Sequence, residues 1–303
     1  MARVLILGAN GMLGSEVYNQ MLTERDLKVE GTTRNGSPIG SKALKSIELN
    51  LSTNYHSTLA QLVPKFNYIV NCVGVIPQKY SDTIGQNISS AIKVNSFFPN
   101  VLNDFASEFD TRVIQIATDC VFSGNKGDYS ESSIPDPSDL YAVTKEIGEI
   151  KSANFMNIRC SVIGPEIDSS HSLFSWLLNH QRNEKVRGFK NHYWNGITTL
   201  AFAKIAKGII KENEFKDGTQ HLIPNDTASK FRLLEMIAFH AGRSDLKIIP
   251  WEHEQTIRRI LATDKPSVNV RLWQLGMYEQ IPNIEDLIEE SVIEKKTQRS
   301  QPL

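Results

Sequence analysis

Seven residues, Gly8-Ala9-Asn10-Gly11-Met12-Leu13-Gly14, constrain this chain more than any others. They follow a short apolar run of strand type, Arg3 to Leu7, and lead into a segment with Val17, Met21 and Leu22 on one helical face. A strand, a glycine turn spaced G-x-x-G-x-x-G and a helix make up the dinucleotide-binding arrangement. Its glycines allow the tight turn and let the backbone approach a pyrophosphate at the helix N-terminus. A glycine-rich turn without a ligand is the plain alternative; the position between an N-terminal strand and a helix favours cofactor binding.

A second strand, Leu27 to Thr33, ends in Thr33-Arg34, with no Asp or Glu where one would grip a ribose diol. An arginine there suits the extra phosphate of NADP, although the same residue can simply be solvated. Ile47-Glu48-Leu49-Asn50-Leu51 reads as a third strand whose end can flank an adenine. Asn67 to Gly74 reads as a fourth, running through Cys72-Val73-Gly74 into a small-residue turn beneath the cofactor. A long helix from about Ile84 to Phe109 carries Asn95 between Val94 and the Phe97-Phe98 pair. That Asn is either a buried polar group bonded to backbone or part of a proton path, and the pattern leaves both open. Strand and helix alternate to residue 160, which argues for an α/β fold with a doubly wound parallel sheet.

The stretch from Thr118 to Lys145 holds the candidate chemistry. A strand ends in Val113-Ile114-Gln115-Ile116-Ala117-Thr118, a loop runs from Asp119 to Asp139, and Tyr141-Ala142-Val143-Thr144-Lys145 opens a helix. Tyr and Lys at this spacing lie on one helical face. An ammonium beside a phenol favours the ionised form and draws a pKa of about 10 toward working pH. A phenol tuned this way can exchange a proton with a substrate oxygen, and the Thr118 hydroxyl can hold the same oxygen. Many solvated helices carry such a pair, so its weight comes from the glycine turn in the same half of the chain.

Net charge is -1 over 303 residues, which argues against broad nucleic-acid or acidic-membrane binding. The apolar run before Gly8 is too short for a signal peptide, and no run of about 18 apolar residues exists to span a membrane. Cys72, Cys120 and Cys160 are widely spaced in apolar runs and form no metal or disulfide pattern. A reduced, cytoplasmic protein is the expectation.

Met156 to Gly164 reads as a sixth strand, after which the pattern loosens. Leu173 to Asn179 is a short amphipathic helix with Phe174, Trp176 and Leu177; Leu200 to Ile210 and Lys230 to Ala241 are helical by period; Leu246 to Trp251 is a late strand. The tail from Glu289, rich in Glu, Lys and Gln, reads as a solvated end. Residues 1–160 form the expected NADP-binding Rossmann-type domain, and 161–303 mainly a smaller α/β substrate domain, with segments interleaved. Arg187, Lys190, His192, Tyr193 and Trp194, with Arg258 and Arg259, either bind a diphosphate and stack on a base or form a solvated loop with one buried Trp. His221, His240 and His253 show no metal spacing and read as surface or core histidines.

These residues together resemble the extended short-chain dehydrogenase/reductases that act on nucleotide sugars. The glycine turn is similar to that family's cofactor turn, and Thr118, Tyr141 and Lys145 to its catalytic trio. Ala117-Thr118-Asp119-Cys120-Val121-Phe122-Ser123-Gly124, then Tyr129-Ser130-Glu131, Pro137 and Leu140-Tyr141, resemble the dTDP-4-dehydrorhamnose reductase branch. The likeness is strong to about residue 165 and thin beyond.

The resemblance implies NAD(P)H-dependent reduction of the C4 keto group of a nucleotide-linked 4-keto-6-deoxyhexose, in deoxysugar and polysaccharide precursor synthesis. Tyr141 would protonate the forming alkoxide, Lys145 would hold the phenol's pKa down and bond the nicotinamide ribose, and Thr118 would orient the carbonyl. NADPH is the expected cofactor, with NADH possible. Its candidate contacts are Gly8, Asn10, Gly11, Met12, Leu13, Gly14, Thr33, Arg34, Asn50, Leu51, Cys72, Val73, Gly74, Asn95, Ala117, Tyr141, Lys145, Cys160 and Val162. Candidate substrate contacts are Val75, Asp119, Cys120, Val121, Phe189, Trp194 and Arg258. No nucleic-acid or membrane partner is implied, no metal is expected, and a homodimer is one possible assembly.

Two positions depart from the branch: Cys120, where a Tyr is usual, and Cys160-Ser161-Val162-Ile163, where a Trp-containing segment is usual. Both approach the sugar, so dTDP-4-dehydrorhamnose and a UDP-2-acetamido-2,6-dideoxy-4-keto-hexose stand level as substrates. A 4,6-dehydratase would need a Glu directly after the Thr-Asp pair, where Cys120 stands. Cys120 lies two residues after Thr118, as a Cys does in epimerase-reductases resembling GDP-fucose synthase, with His171 or His180 as its acid partner. Regulatory subunits that keep the cofactor fold without turnover are the non-enzymatic alternative.

Overall fold

The computed structural model describes residues 1–39, 44–53, 55–79, 83–166 and 172–300, with the side chains of 298–300 left aside. The first half runs β1 (Ala2–Leu7), α1 (Met12–Leu22), β2 (Leu27–Thr33), β3 (Ile47–Glu48), α2 (Tyr55–Leu62) and β4 (Tyr68–Asn71). It continues through α3 (Ile84–Ala91), a π-helical turn (Ile92–Phe97), α4 (Phe98–Glu108), β5 (Arg112–Ile116), a 3₁₀ turn (Asp119–Val121), α5 (Leu140–Ile147) and β6 (Phe155–Arg159). The remainder is β7 (Val162–Ile163), α6 (Leu173–Leu178), β8 (Lys185–Phe189), β9 (His192–Trp194), β10 (Ile197–Thr198), α7 (Thr199–Lys211) and β11 (Gly218–His221). After it come β12 (Ala228–Ser229), α8 (Lys230–His240), β13 (Lys247–Trp251), β14 (Ile257–Arg259), α9 (Pro266–Leu275) and α10 (Ile284–Ser300).

Seven strands form one sheet in the order β11-β6-β5-β4-β1-β2-β3, every pairing parallel. Side chains alternate across the pleat, so β1 sends Val4 and Ile6 to one face and Leu5 and Leu7 to the other. The first pair packs under α1, α7 and α9, and the second under α2 and α4. Both faces are covered, as a parallel sheet requires. The strand order reverses between β1 and β4, which opens a crevice at their carboxyl ends. This is the Rossmann-type α/β architecture expected from the sequence. A third apolar cluster, built from α6, α8, α10 and the small strands β8 and β9, sits beside it.

Several expectations change in detail. The strand expected over 47–51 is two residues long. The strand expected over 156–164 breaks after Arg159: β6 stays in the main sheet, while β7 leaves it to pair with β10. Its place at the sheet edge goes to β11, whose Gly218-Thr219-Gln220-His221 carries too little apolar content to read as a strand. Leu22 and Trp176 are exposed, and only their neighbours Met21, Phe174 and Leu177 are buried. The tail from Glu289 is not simply solvated. One face of α10 buries Ser291 and Val292, and Glu290 pairs with Lys204 and accepts from Tyr278.

Three buried amides cross the middle of the sheet in register: Asn71 of β4, Gln115 of β5 and Asn157 of β6. Asn71 donates to Gln115 Oε1 at 2.8 Å, and Gln115 Nε2 donates to Asn157 Oδ1 at 3.1 Å and to the Gly148 carbonyl at 2.6 Å. Asn157 closes the chain on the Ile150 carbonyl at 2.7 Å. The ladder ties three strands to the C-terminal end of α5, the helix that carries Tyr141 and Lys145.

Candidate active site

The glycine turn is built on backbone contact. Gly8 has φ +78°, a left-handed conformation that side chains resist, and a Cβ on Gly14 would lie 2.2 Å from the Gly8 carbonyl oxygen. Helix α1 therefore rests directly on the turn. Its N-cap, Gly11, brings no side-chain capping bond and no acid lies in the first turn, which leaves the helix N-terminus without a competing anion of its own. Met12 is half-buried, whereas Leu13 packs into the core and supports the turn from below. Asn10 donates to Ser37 Oγ and to the Pro38 carbonyl, both at 3.1 Å, tying the turn to the loop after β2.

At the end of β2 the Thr33 hydroxyl is engaged within the protein, with Ser37 O at 3.1 Å and Ser46 Oγ at 2.9 Å. Arg34 beside it is exposed. Asn50 uses its side-chain oxygen to accept from the Ser52 N–H at 3.0 Å. Leu51, Gly85, Lys93 and Val94 help line a cleft of 360 Å³ next to it.

Across the crevice, a Cβ on Gly8 would meet Val73 at 3.2 Å and the Cys72 carbonyl at 3.6 Å, so the turns after β1 and β4 touch. The β4 turn, through exposed Gly74 to Val75, is held by Asn95. Asn95 Oδ1 accepts from the Val75 N–H and Nδ2 donates to the Val75 carbonyl, each at 2.9 Å; Nδ2 also donates to Thr144 Oγ1 at 3.2 Å. Of the two readings open for Asn95, the structure gives the buried group bonded to backbone. The π turn makes this possible by turning Asn95 inward, and a Cβ on Gly148 would lie 1.9 Å from the Asn95 carbonyl oxygen.

Thr118, Tyr141 and Lys145 converge at the ends of β5 and α5. Thr118 caps the 3₁₀ turn: Oγ1 accepts from the Cys120 N–H at 3.2 Å and donates to Asp119 Oδ1 at 3.3 Å. Helix α5 begins at an N-cap, Asp139, whose carboxylate accepts from the Ala142 N–H at 2.8 Å. Lys145, 8 % exposed, donates from Nζ to the Ile116 carbonyl at 2.8 Å. Burial lowers its pKa to about 8, with the Glu149 charge opposing. The Tyr141 phenol is pushed up, by burial first and then by Cys120, while a hydrogen bond from Thr118 works the other way. The sequence-based expectation that Lys145 lowers the phenol is therefore corrected: its ammonium is turned to the Ile116 carbonyl, and desolvation decides the direction. Ala117 donates its N–H to the Ile158 carbonyl at 2.9 Å, which seats Thr118 beside β6. Cys72 and buried Cys160 lie within electrostatic reach of Lys145, and burial pushes both thiols up, Cys72 to about 12. Val162 is half-buried in β7, opposite Ile197.

The opposite wall is a three-stranded sheet, β12-β9-β14. Its register aligns Ala228, Trp194 and Arg259. Arg259 donates from Nε to the Phe122 carbonyl at 3.2 Å and reaches Cys120 Sγ from Nη1 at 3.8 Å. Cys120 donates to Asp119 Oδ1 at 3.6 Å, and burial followed by the Asp119 charge pushes the thiol up to about 12. Burial also raises the buried Asp119 carboxyl, with Lys230 and Arg259 pulling it down. Val121 is fully buried against Phe122, Tyr129 and Leu261 and supports the turn. Arg258 faces the other way, exposed and 5.4 Å over the Tyr193 ring, so Arg259 is the arginine that reaches the site. Phe189 stacks on His192 at 4.4 Å. His180 is bound to the Trp176 carbonyl at 2.9 Å and His171 lies outside the described residues. Lys230, at the first position of α8, lies within electrostatic range of Asp119 and Cys120. The sequence reading missed it because nothing local distinguishes it from any solvated helix lysine.

Among the described residues, no group of three or more His, Cys, Asp or Glu side chains is placed to hold a metal ion. No helix of these residues is long and apolar enough to cross a membrane.

The sequence profile of the RmlD substrate binding domain family matches residues 2–294. The chain belongs to that family. Among solved structures of the same fold is dTDP-4-dehydrorhamnose reductase from Bacillus anthracis in complex with NADP, with TM-score 0.75, 18% identity, and coverage of 97% of this chain and 99% of that one. MoeE5 in complex with UDP-glucose and NAD superposes with TM-score 0.74 at 15% identity, over 98% of this chain and 100% of that one. Among sequence relatives, methionine adenosyltransferase 2 subunit beta of Bos taurus is 29% identical over 147 residues. That stretch is 48% of this chain and 41% of the relative, so the match spans less than half of either protein. In this member of the RmlD substrate binding domain family, Thr118, Tyr141 and Lys145 converge in the same crevice as the glycine turn.

Proposed function

We propose that the protein is a nicotinamide-dependent reductase of the C4 keto group of a nucleotide-linked 4-keto-6-deoxyhexose. The observation that carries this reading is the meeting of Thr118, Tyr141 and Lys145 beside the crevice where the Gly8 and Val73 turns touch. The residues of that crevice fit a dinucleotide. The glycine backbone leaves no room for side chains, the α1 N-terminus offers uncapped N–H groups, and Arg34, with no neighbouring carboxylate in the Thr33-Arg34 pair, favours the 2′-phosphate of NADPH over a bare ribose. When bound, the nicotinamide supplies the hydride.

The chain's own residues supply the proton and the positioning. A phenol pushed up by burial stays protonated at neutral pH and is a competent donor to an alkoxide, which is far more basic. Reduction therefore needs no pre-ionised Tyr141. Lys145 anchors α5 to the end of β5 through the Ile116 carbonyl, and Thr118 offers a hydroxyl whose proton is now shared with Asp119. Asn95 holds the Val75 turn against α5, so both walls of the crevice keep one spacing.

An added epimerase step finds less support. The Cys120 thiol is pushed up rather than toward a thiolate, and His180 is engaged elsewhere. The relation to methionine adenosyltransferase 2 subunit beta favours a second reading, a cofactor-fold subunit of another enzyme, against which the intact trio stands.

The test follows NADPH oxidation at 340 nm with dTDP- and UDP-linked 4-keto-6-deoxy sugars offered separately. Turnover on one, lost in Tyr141→Phe, supports the reductase and names the nucleotide. Tight NADPH binding with no turnover on either sends the reading to the subunit alternative.

A further inference from the structure

Arg159, at the end of β6, is buried and its guanidinium is engaged on three sides. Nε and Nη2 donate to the two carboxylate oxygens of Glu149, at 3.0 and 2.5 Å. Nη1 lies 2.9 Å from His221 Nε2, and the guanidinium carbon stands 5.1 Å from the centre of the Phe122 ring. Two of these partners lead back to the crevice. Glu149 follows Lys145 by four residues, just past the end of α5, and Phe122 closes the 3₁₀ turn that Thr118 caps. The strand register explains the meeting. Ile116, whose carbonyl takes the Lys145 ammonium, pairs with Ile158, one residue before Arg159. Asn157 and Arg159 share one face of the pleat, and Asn157 bonds the Ile150 carbonyl, so both side chains point at the same helix end.

A buried ion pair of this kind is weak evidence for stability, because well-packed apolar residues in its place are often as good or better. We propose that Arg159 and Glu149 are positioning residues for the reduction: one guanidinium sets the spacing between the Thr118 turn and the Tyr141–Lys145 helix, and the carboxylate it fixes steadies the Lys145 ammonium. The inference rests on the reductase reading and adds these two residues to it. Both act through others, Arg159 through Phe122 and Glu149, and Glu149 through Lys145. The groups acting most strongly on Lys145 are Glu149, Cys72 after β4, Cys120 in the 3₁₀ turn and Cys160 after β6. Burial keeps all three thiols neutral, which leaves Glu149 as the counter-charge among them. On its far side Arg159 faces His221, which in turn faces Glu131 and Lys265.

Two variants of the full chain separate positioning from stability. Arg159→Met combined with Glu149→Leu removes both charges and fills their space. Arg159→Lys keeps the charge but loses the fork and the flat face. The control, Arg271→Met with Glu214→Leu, removes an ion pair beside Asn213, which bonds Arg112 at the opposite end of β5. The double variant is expected to unfold at or above the wild-type temperature. Its kcat for NADPH-dependent reduction of a 4-keto sugar is nonetheless expected to fall about tenfold, as is that of Arg159→Lys, with KM within a factor of about three. Lys145 is read without turnover, from the carbon-13 shift of its Cε in lysine-labelled protein, assigned with Lys145→Met. Its titration midpoint is expected to fall by about one pH unit in the double variant and to stay in place in the control. Wild-type kcat and an unmoved Lys145 midpoint in a folded double variant overturn the proposal and leave the reductase standing. If the double variant does not fold, Arg159→Lys decides, and wild-type kcat there overturns the proposal equally. If wild type turns over no 4-keto sugar, the reductase reading falls and the Lys145 titration decides alone: a lowered midpoint keeps Glu149 as its counter-charge, and an unmoved one removes it.

Discussion

The ammonium of Lys145 donates to the carbonyl of Ile116 at 2.8 Å, which anchors the helix bearing Tyr141 to the end of the strand bearing Thr118. The same bond places a cation inside the protein. Its pKa falls from 10.5 to about 8 through burial, so between those values the unfolded chain holds the proton and the folded chain does not. Stability gained from this group therefore appears as pH rises through that window, and at pH 7 the buried charge opposes folding. The shift is worth roughly 3 kcal/mol, against about 1 kcal/mol for the bond to Ile116. Lys145→Met is expected to raise the unfolding midpoint at pH 7 by a few degrees and to abolish reduction, with calorimetry and the NADPH assay as the readouts. A lowered midpoint would show that the Ile116 bond outweighs desolvation.

Tyr141→Phe removes the phenolic proton and nothing else of size. We expect kcat to drop by at least ~100-fold, with nucleotide affinity within a factor of about three of wild type. Stopped-flow hydride transfer with a 4-keto sugar measures the first and calorimetry the second; an unchanged kcat would reassign the proton donor.

Asn95→Ala cuts three hydrogen bonds and strands the Val75 N–H and carbonyl. A cost of about 2–3 kcal/mol is expected, together with loss of activity, because the clamp joins the Val75 turn to Thr144. Amide exchange at Val75 reports the clamp itself: protection there equal to wild type would mean that the turn is held by other means.

His221 sets an acid limit. Its Nδ1 faces the Ala262 carbonyl at 2.6 Å and its Nε2 faces Arg159 Nη1 at 2.9 Å, so the ring donates to the first, accepts from the second and stays neutral. Burial, then the Arg159 charge, lowers its pKa to about 4. Below the unfolded value near 6.5 the unfolded chain gains a proton that the folded chain refuses. Stability is thus full above about pH 6.5, falls as the pH drops toward 4, and loses on the order of 3 kcal/mol across the window. Glu131, held low by the backbone N–H groups of Asp264 and His221 against the desolvation of burial, adds to the acid loss. Urea unfolding from pH 7 to 4 should be steeply pH-dependent in wild type and shallower in His221→Gln; equal slopes would remove His221 from the account.

Gly14→Ala brings a Cβ to 2.2 Å from the Gly8 carbonyl, with backbone on both sides and nothing flexible to yield. Dinucleotide affinity is expected to fall at least tenfold while far-ultraviolet circular dichroism changes little. Unaltered affinity for NADPH would place the cofactor elsewhere.

Much of this was written locally. The β1–turn–α1 unit, β2, and the Tyr141–Lys145 helix follow from a glycine spacing and two periodicities, signals carried within about ten residues. What could not be read depends on distant partners. The π turn looks like ordinary helix, because its extra residue is absorbed by Gly148 more than fifty positions on. The amides of Asn71, Gln115 and Asn157 look like interruptions in apolar strands until the register aligns them. Arg259 reaches Cys120, and Lys230 comes within its electrostatic range, only through the pairing of β9 with β14 and β12. The phenol's pKa went the other way because the spacing of Tyr and Lys says which face they share, but not how deeply that face is buried.

The helix that covers the first strand comes late. Val4 and Ile6 share a cluster with Ala201, Phe202 and Ile205 of α7, and α7 packs along α1. During synthesis at roughly 5–20 residues per second, that face of β1 waits on the order of ten to forty seconds for its cover to leave the ribosome. A nascent chain stopped at residue 160 would present the glycine turn with Thr118, Tyr141 and Lys145 on a sheet whose α1 face still lacks α7 and α9. Closure of that face is thus tied to a helix about two hundred residues downstream, not to the local signals that set the glycine turn.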